Sequence, residues 1–193
     1  MKDFQSLIGT DTAYNFHSHT QFCDGHADIA AFAEAAAKIG MRYYGYSPHS
    51  PVPIDSPCNM KAEDVPTYFA EVDAARRRWP QVHFYRSMEV DYLGTQWGPS
   101  SQYFSDLGLD YIIGSVHFIP AKDDHSLYID IDGSPERFMR NMHTHFGDDI
   151  EYVVHTFYDH SAEMLARGGL DILGHFDKVE QNGVVFDPDL VQH

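Results

Sequence analysis

The chain has 193 residues, 43% of them hydrophobic, with 13 Lys and Arg against 29 Asp and Glu. That length and composition predict one folded domain, 1–193, with a buried core. The net charge of −16 disfavours nucleic acid as a partner, because a phosphate backbone would be repelled over most of the surface. The only cysteines, Cys23 and Cys58, form no disulfide framework, and no apolar run approaches the roughly 20 residues of a membrane span. These features predict a cytoplasmic protein that does not contact membranes.

The first half of the chain predicts short strands that alternate with helices. A strand over 14–19 precedes an Ala-rich helix over 27–39, which ends at Gly40. A strand over 42–46 follows, and then a loop with three prolines over 50–60. A helix from about 64 to 79 leads into the third strand, over 82–92.

The second half continues the alternation. A short helix within 99–107 precedes a fourth strand over 110–119 and a polar loop over 120–133. Two helices follow, one capped by Ser134 and one ended by Gly168-Gly169, before a fifth strand over 170–176. The helices are predicted over 135–146 and 148–166. Strands that alternate with helices favour βα units and a parallel sheet.

Side chains that can bind metal recur at the carboxyl ends of the predicted strands. They are His17, His19, His49, Glu89, Asp91, His117, His175 and Asp177. In a parallel β/α barrel, active sites are built at that end of the strands. Five strands that deliver the same kind of residue to one place therefore predict a metal centre.

The spacing and the chemistry agree with such a centre. Residues i and i+2 of a strand point the same way, so His17 and His19 can face one ion. Asp24, in the turn that follows, can fold back as a further ligand. Nitrogen and carboxylate ligands suit Zn, Mn or Fe, and Glu89 can bridge two ions that together activate water for hydrolysis. Each residue alone can equally be a core or surface side chain, so the prediction depends on the whole set.

The other histidines carry less weight. His155 and His160 have helical spacing with Asp159, which is more typical of a solvated helix face than of an ion site. The sequence leaves open whether His26 or His155 also contacts metal.

At these residues the chain resembles the PHP (polymerase and histidinol phosphatase) superfamily, and most closely its histidinol-phosphatase branch. The matching segments are FHSHTQFCDG, YGYSPHSP, MEVDY, DYIIGSVHFI and DILGHFDKV, which occur in family order. The resemblance implies a distorted seven-stranded β/α (TIM-like) barrel with a trinuclear metal site. It also implies hydrolysis of a phosphate monoester, in this branch L-histidinol phosphate, as a step of histidine biosynthesis.

The resemblance also implies roles for individual residues. Two or three divalent ions (Zn, Mn or Fe) would be the cofactors, and a small anionic phosphorylated metabolite would be the partner. The proposed reaction, and not the resemblance, suggests the other roles: Glu89, His175 and Asp177 are the candidate catalytic residues, and Arg86 and Lys178 are candidate contacts of the substrate phosphate, with ordinary surface positions as the alternative for both. The implied metal ligands are His17, His19, Asp24, His49, Glu89 as the bridging residue, His117 and His175.

One feature departs from the family pattern. The family ends with a further strand that carries an Asp-x-His pair, whereas this chain ends in DPDLVQH and has no such pair after His175. Either the chain is a fragment or its site is incomplete, and the barrel is expected to lack its last strand or strands.

Two other classes of function stay open from the sequence. The same site can serve a phosphoesterase of another metabolite, or a nuclease as in polymerase-linked relatives, although the acidic charge disfavours the nuclease. Alternatively, without the Asp-x-His pair the chain can be a non-catalytic metal-binding remnant with a scaffold or regulatory role. Metal stoichiometry measured together with phosphatase turnover distinguishes these classes.

Overall fold

The structure is a computed structural model that describes residues 13–178. Four strands, β1 to β4, and a later strand, β7, form a parallel sheet in the order β1-β2-β3-β4-β7, and β5 and β6 form a separate antiparallel pair. The strands are β1 (Tyr14–Asn15), β2 (Tyr43–Tyr46), β3 (His83–Asp91), β4 (Tyr111–Ser115), β5 (Phe118–Pro120), β6 (Tyr128–Asp130) and β7 (Ile172–Leu173).

Within residues 13–178, five α-helices connect the strands, and their ends follow local chemistry. The Ser134 side chain accepts a hydrogen bond from the backbone of Arg137 at the start of the fourth helix, as predicted, and Gly168 with φ 72° ends the fifth. Among the described residues, no helix is both long and apolar enough to cross a bilayer. The helices are α1 (Ile29–Lys38), α2 (Val65–Arg78), α3 (Gln102–Asp106), α4 (Pro135–His145) and α5 (Ile150–Arg167).

The parallel sheet is curled. A flat sheet of five strands would hold its two edges roughly 19 Å apart, since neighbouring strands lie about 4.8 Å apart. Instead, the ring centroids of His17, just after β1, and His175, just after β7, are 5.5 Å apart. The Tyr111 hydroxyl on β4 also donates to the Phe16 carbonyl beyond β1, at 2.5 Å. The fold is therefore a mixed α/β half-barrel, and the seven-stranded closure implied by the resemblance is not seen within residues 13–178.

The two faces of the sheet have different roles. On β3, Phe84, Met88 and Val90 belong to the hydrophobic core that includes residues of α1 and α2. Because side chains alternate along a strand, Glu89 and Asp91 lie on the opposite, concave face. Both carboxylates are fully buried there. The half-barrel thus places acidic groups on its concave face, opposite the apolar core.

The close approach of strands on the concave face requires a glycine on β2. A Cβ atom at Gly45 would lie less than 2 Å from the Tyr111 hydroxyl oxygen. Any larger residue would displace the Tyr111 ring and with it the contact to Phe16.

Two predictions on the second half of the chain were wrong. The predicted strand over 110–119 is divided at Val116-His117, so that β4 stays in the parallel sheet and β5 leaves it. The predicted loop over 120–133 contains β6, which pairs with β5. The break has a physical cause, because the His117 carbonyl accepts from the backbone of Ile131 and the hairpin buries Ile119 and Ile131 in a second core with α4 and α5.

Candidate metal centre

A single buried carboxylate lies at the middle of the candidate site. Glu89 is 0% exposed, and each of its oxygens faces several histidine rings. Oε1 also accepts a hydrogen bond from the Ser115 hydroxyl at 2.7 Å. The histidines with a ring nitrogen within 3.8 Å of a Glu89 oxygen are His17, His19, His49, His117 and His175.

All five histidines lie just beyond the carboxyl end of a strand. His17 and His19 both follow β1, and each of the others follows a different strand. Ser47, after β2, holds Nδ1 of His17 at 2.9 Å and accepts from the backbone of Ser18. The backbone of His49 pairs with that of Glu89 in an isolated parallel β-bridge. His175, after β7, has φ 48°, a conformation that costs energy in a residue other than glycine and is often found at functional sites.

The ligand atoms form four overlapping groups, in each of which all atoms lie within 4.8 Å of one another. These groups contain all seven predicted metal ligands and one further residue, Asp91. The groups are His17, His19 and Glu89; His19, Asp24 and His49; His49, Asp91 and His117; and Glu89, His117 and His175.

Two buried nitrogen atoms indicate that the cluster fits metal ions. His49 Nδ1 and His117 Nε2 have no hydrogen-bond partner among the described residues. They lie 3.4 Å and 3.5 Å from Glu89 oxygens, without the geometry of a hydrogen bond. Buried polar atoms are almost always satisfied, so these nitrogens indicate a missing partner. A divalent cation is such a partner, and the nitrogen and carboxylate oxygen atoms of the four groups suit Zn, Mn or Fe.

The electrostatics of the metal-free cluster agree with a site that attracts cations. Burial alone would raise the pKa of Glu89, but hydrogen bonds to His175 and His19 hold it well below its usual range. Burial alone would lower the pKa of His117, but the charge and hydrogen bond of Asp91 raise it to about 9. Neighbouring acidic groups likewise raise the pKa of His19, whereas burial lowers the pKa of His17 and His49. In the metal-free protein the buried carboxylates thus favour protonated imidazole at His19 and His117.

This charge pattern predicts how the stability of the metal-free protein depends on pH. The pKa of His117 is above its unfolded value of 6.5, so its contribution to the free energy of unfolding is complete below pH 6.5 and is lost as the pH rises through about 9. Denaturant unfolding in the presence of a chelator, repeated across this range, measures the decline. His117→Gln should remove part of it, whereas His155→Gln, at an exposed position on α5, should leave it intact. A flat profile between these pH values would contradict the prediction.

The structure does not bring every predicted site residue to the cluster. The Arg86 guanidinium lies 4.0 Å over the Phe69 ring and donates to the Gly108 carbonyl, on the helix-facing side of β3. The cause is strand alternation, since Arg86 is three residues from Glu89 and therefore on the other face. Asp177 belongs to none of the four groups found within residues 13–178, and neither do His26 and His155, whose contact with metal the sequence left open.

A cavity of about 220 Å³ opens beside His49 and His117. Asp132 lies on its wall and pairs with Lys178 at 2.8 Å, so Lys178 is close to the cavity. Arg137, on α4, also lines the cavity and pairs with Asp130 at 2.9 Å. A larger cavity of about 530 Å³ lies between α1 and α2, but none of the predicted metal ligands lines it.

Comparison with known proteins identifies the family. Residues 15–190 match the family model of the PHP domain, and the chain belongs to this family. It is 30% identical, over 186 residues, to a protein of Deinococcus radiodurans named "Probable histidinol-phosphatase". It is 25% identical, over 179 residues, to a protein of Schizosaccharomyces pombe with the same name. These alignments cover 91% and 84% of the chain but only 64% and 55% of the two relatives.

A solved structure supports the fold. The chain superposes on a candidate histidinol phosphatase from Listeria monocytogenes with a TM-score of 0.56 and 21% sequence identity. The match covers 65% of this chain and 51% of that one. The chain thus spans between about half and two thirds of the length of these three proteins.

Proposed function

We propose that this chain is a metal-dependent phosphoesterase that hydrolyses phosphate monoesters, with L-histidinol phosphate as its substrate. One observation carries the proposal, namely that the two oxygens of Glu89 face two different sets of histidines. Oε2 faces His17, His19 and His49, and Oε1 faces His117 and His175. A carboxylate with nitrogen ligands on both sides has the arrangement of a bridge between two metal ions. The names of the two relatives support the choice of substrate.

The proposal extends to the whole chain. Residues 1–193 would form one PHP-type domain, and the half-barrel would be part of a distorted seven-stranded barrel. Two or three ions of Zn, Mn or Fe would be held by His17, His19, Asp24, His49, Glu89, His117 and His175. Ions bound there would neutralise the phosphate charge and supply an activated water.

The residues around the ions have separate tasks in this proposal. Glu89 fixes the spacing of the two sets of histidines. Two histidines face Oε1, and the side chain of His175 is 30% exposed against 4% for His117. His175 is therefore the better placed of the two to donate a proton to the departing alkoxide. Asp177, two residues further along, is a second candidate for that proton. Of the two predicted phosphate contacts, Lys178 is close to the cavity, whereas Arg86 is not.

Metal dependence tests the proposal. Removal of metal with a chelator should abolish hydrolysis of L-histidinol phosphate, and Mn²⁺, Zn²⁺ or Fe²⁺ should restore it, because the histidines and Glu89 alone offer no activated water. Phosphate release is measured before chelation, after it and after each metal is added back, with bound metal per chain determined in the same samples.

The possible results of this experiment favour different classes of function. Full activity after verified removal of metal would contradict the mechanism. Bound metal with no turnover of any phosphate monoester would instead favour a metal-binding protein with a scaffold role. Turnover of other phosphate monoesters but not of L-histidinol phosphate would retain the phosphoesterase and reject the substrate.

A further inference from the structure

A buried chain of hydrogen bonds lies directly behind His117. Nδ1 of His117 is 2.7 Å from Oδ1 of Asp91, and both side chains are buried. The other oxygen of Asp91, Oδ2, accepts a hydrogen bond from the side-chain amide of Asn59 at 2.9 Å. Both oxygens of the Asp91 carboxylate are therefore engaged by groups of the protein itself.

The amide of Asn59 is fixed in one orientation. Its Nδ2 donates to the Ser50 carbonyl at 2.8 Å as well as to Asp91, and its Oδ1 accepts from the Ser56 hydroxyl at 2.6 Å. If the amide were turned over, its oxygen would face two acceptors and its nitrogen would face the hydroxyl. The proline-rich segment that contains Asn59 thus presents a donor, and not an acceptor, to Asp91.

The two nitrogens of His117 have different environments, which decides what Asp91 does. Asp91 is grouped with His49 and His117 by distance alone, and could be taken for a metal ligand. However, Asp91 engages Nδ1, whereas the nitrogen that has no hydrogen-bond partner in the described part of the chain is Nε2, which lies 3.5 Å from Glu89 Oε1. A histidine whose one nitrogen is held by a carboxylate and whose other nitrogen is free has the geometry of an oriented metal ligand.

We propose that Asn59 is a positioning residue of the metal centre that acts through Asp91. It holds the Asp91 carboxylate as the acceptor for Nδ1–H of His117, so that the lone pair of Nε2 would be available to an ion bound by His117 and Glu89. Asp91 is then an orienting group and not a ligand. The inference rests on the proposed function, because it requires an ion at His117.

Asn59 affects the metal centre because the Asp91 carboxylate that it contacts is buried. Without the Asn59 amide, Oδ2 of Asp91 would be a buried charged oxygen without a donor, which is costly. The carboxylate would rotate toward another donor or toward the ion, and the orientation of His117 would be lost. Mutation of a direct hydrogen-bond partner of a metal ligand, the position that Asp91 holds here, typically changes metal affinity or activity roughly 10–100-fold. Asn59 lies one hydrogen bond further out, so we expect its effect at the lower end of that range.

The test measures zinc affinity directly. Asn59→Leu keeps the approximate shape and removes both amide donors, and Asn59→Ala serves if the leucine variant does not fold. Zinc binding is measured by competition with a chromophoric chelator, well below the melting temperature of the metal-free protein. We expect the affinity of the ion at His117 to fall roughly tenfold or more. As a matched control, Asn141→Leu removes an asparagine that donates to the Asp130 carbonyl, and it should lower the melting temperature without changing zinc affinity.

A double-mutant cycle with Asp91→Ala shows whether Asn59 acts through Asp91. In that background, Asn59→Leu should change zinc affinity by less than about twofold, because residues that act through one another are not additive. Unchanged zinc affinity in both Asn59 variants, or an undiminished effect in the Asp91→Ala background, would overturn the inference while leaving the proposed function intact. Absence of zinc binding by the unmodified protein would overturn both.

Discussion

Glu89→Gln should remove most metal binding and most hydrolysis of phosphate monoesters. Glutamine keeps the shape of the side chain but loses its charge and one of the two oxygens that face opposite sets of histidines. Changes in the hydrogen-bond partners of metal ligands cost roughly 10–100-fold, so loss of the proposed bridging ligand should cost at least that in kcat/KM. Bound metal per chain, measured on the same preparation, should fall below that of the unmodified protein.

Stability gives a second measurement on Glu89→Gln. In the metal-free protein, Glu89 accepts from Ser115 and faces protonated imidazole, so the substitution should lower the free energy of unfolding by about 1–3 kcal/mol. The rise in melting temperature on addition of metal should shrink, because an ion that binds only the folded state stabilises it by mass action.

A structural carboxylate provides the control for Glu89. Asp110 accepts from the Arg86 backbone and pairs with Arg76, away from the cluster. Asp110→Asn should lower stability without changing the number of bound ions. An unchanged ion count and an unchanged metal-induced shift in Glu89→Gln would rule out the bridging role.

The gathering of the candidate ligands could be predicted from the sequence because it depends on only two regularities. Apolar runs that each end in a histidine or an acid predict strands, and parallel βα units bring the ends of those strands to one edge. Glu89, His117 and His175 lie together for this reason, although β7 has only two residues.

The structure brings His17 and His19 together beside Glu89, but not for the reason given by the sequence analysis. The prediction assumed that both lie in a strand, where residues two apart point the same way. The strand ends at Asn15, and both histidines follow it. Their positions come instead from distant groups, since Ser47 holds the His17 ring and Tyr111 holds the Phe16 carbonyl. Hydrogen bonds between residues 30 to 95 apart along the chain leave no local pattern in a sequence.

The sequence alone could have shown that Arg86 does not lie at the site. A residue three positions before Glu89 on the same strand must point to the opposite face, whatever its charge. The role inferred for Asn59 could not have been foreseen, because it depends on how the loop over 50–60 folds back against β3. The break between β4 and β5 was hidden for a similar reason, since the whole run over 110–119 is apolar enough to continue as one strand.

Gly174→Ala should have the second large effect, through the same carboxylate. A Cβ atom at Gly174 would lie 2.3 Å from the Ser115 hydroxyl oxygen and 3.0 Å from Cγ2 of Ile113. The Ser115 hydroxyl would have to rotate and give up its bond to Glu89 Oε1. Added volume in a well-packed region costs about 1–3 kcal/mol, so the free energy of unfolding should fall by that order. Because the carboxylate loses a partner that fixes it, zinc affinity should fall roughly tenfold or more.

A second substitution identifies the cause of the Gly174 effect. Ser115→Ala removes the oxygen that the new methyl group would meet, so Gly174→Ala should cost less stability in that background, and should reduce zinc affinity little beyond the level of Ser115→Ala alone. Gly147→Ala serves as the control, because among residues 13–178 no atom outside its immediate chain neighbours lies within 4 Å of the added Cβ, and only the positive φ of 61° is strained. It should lower stability and leave zinc affinity unchanged. If Gly174→Ala binds zinc as tightly as the unmodified protein, the close contact between β7 and β4 is not needed to hold Glu89 in place.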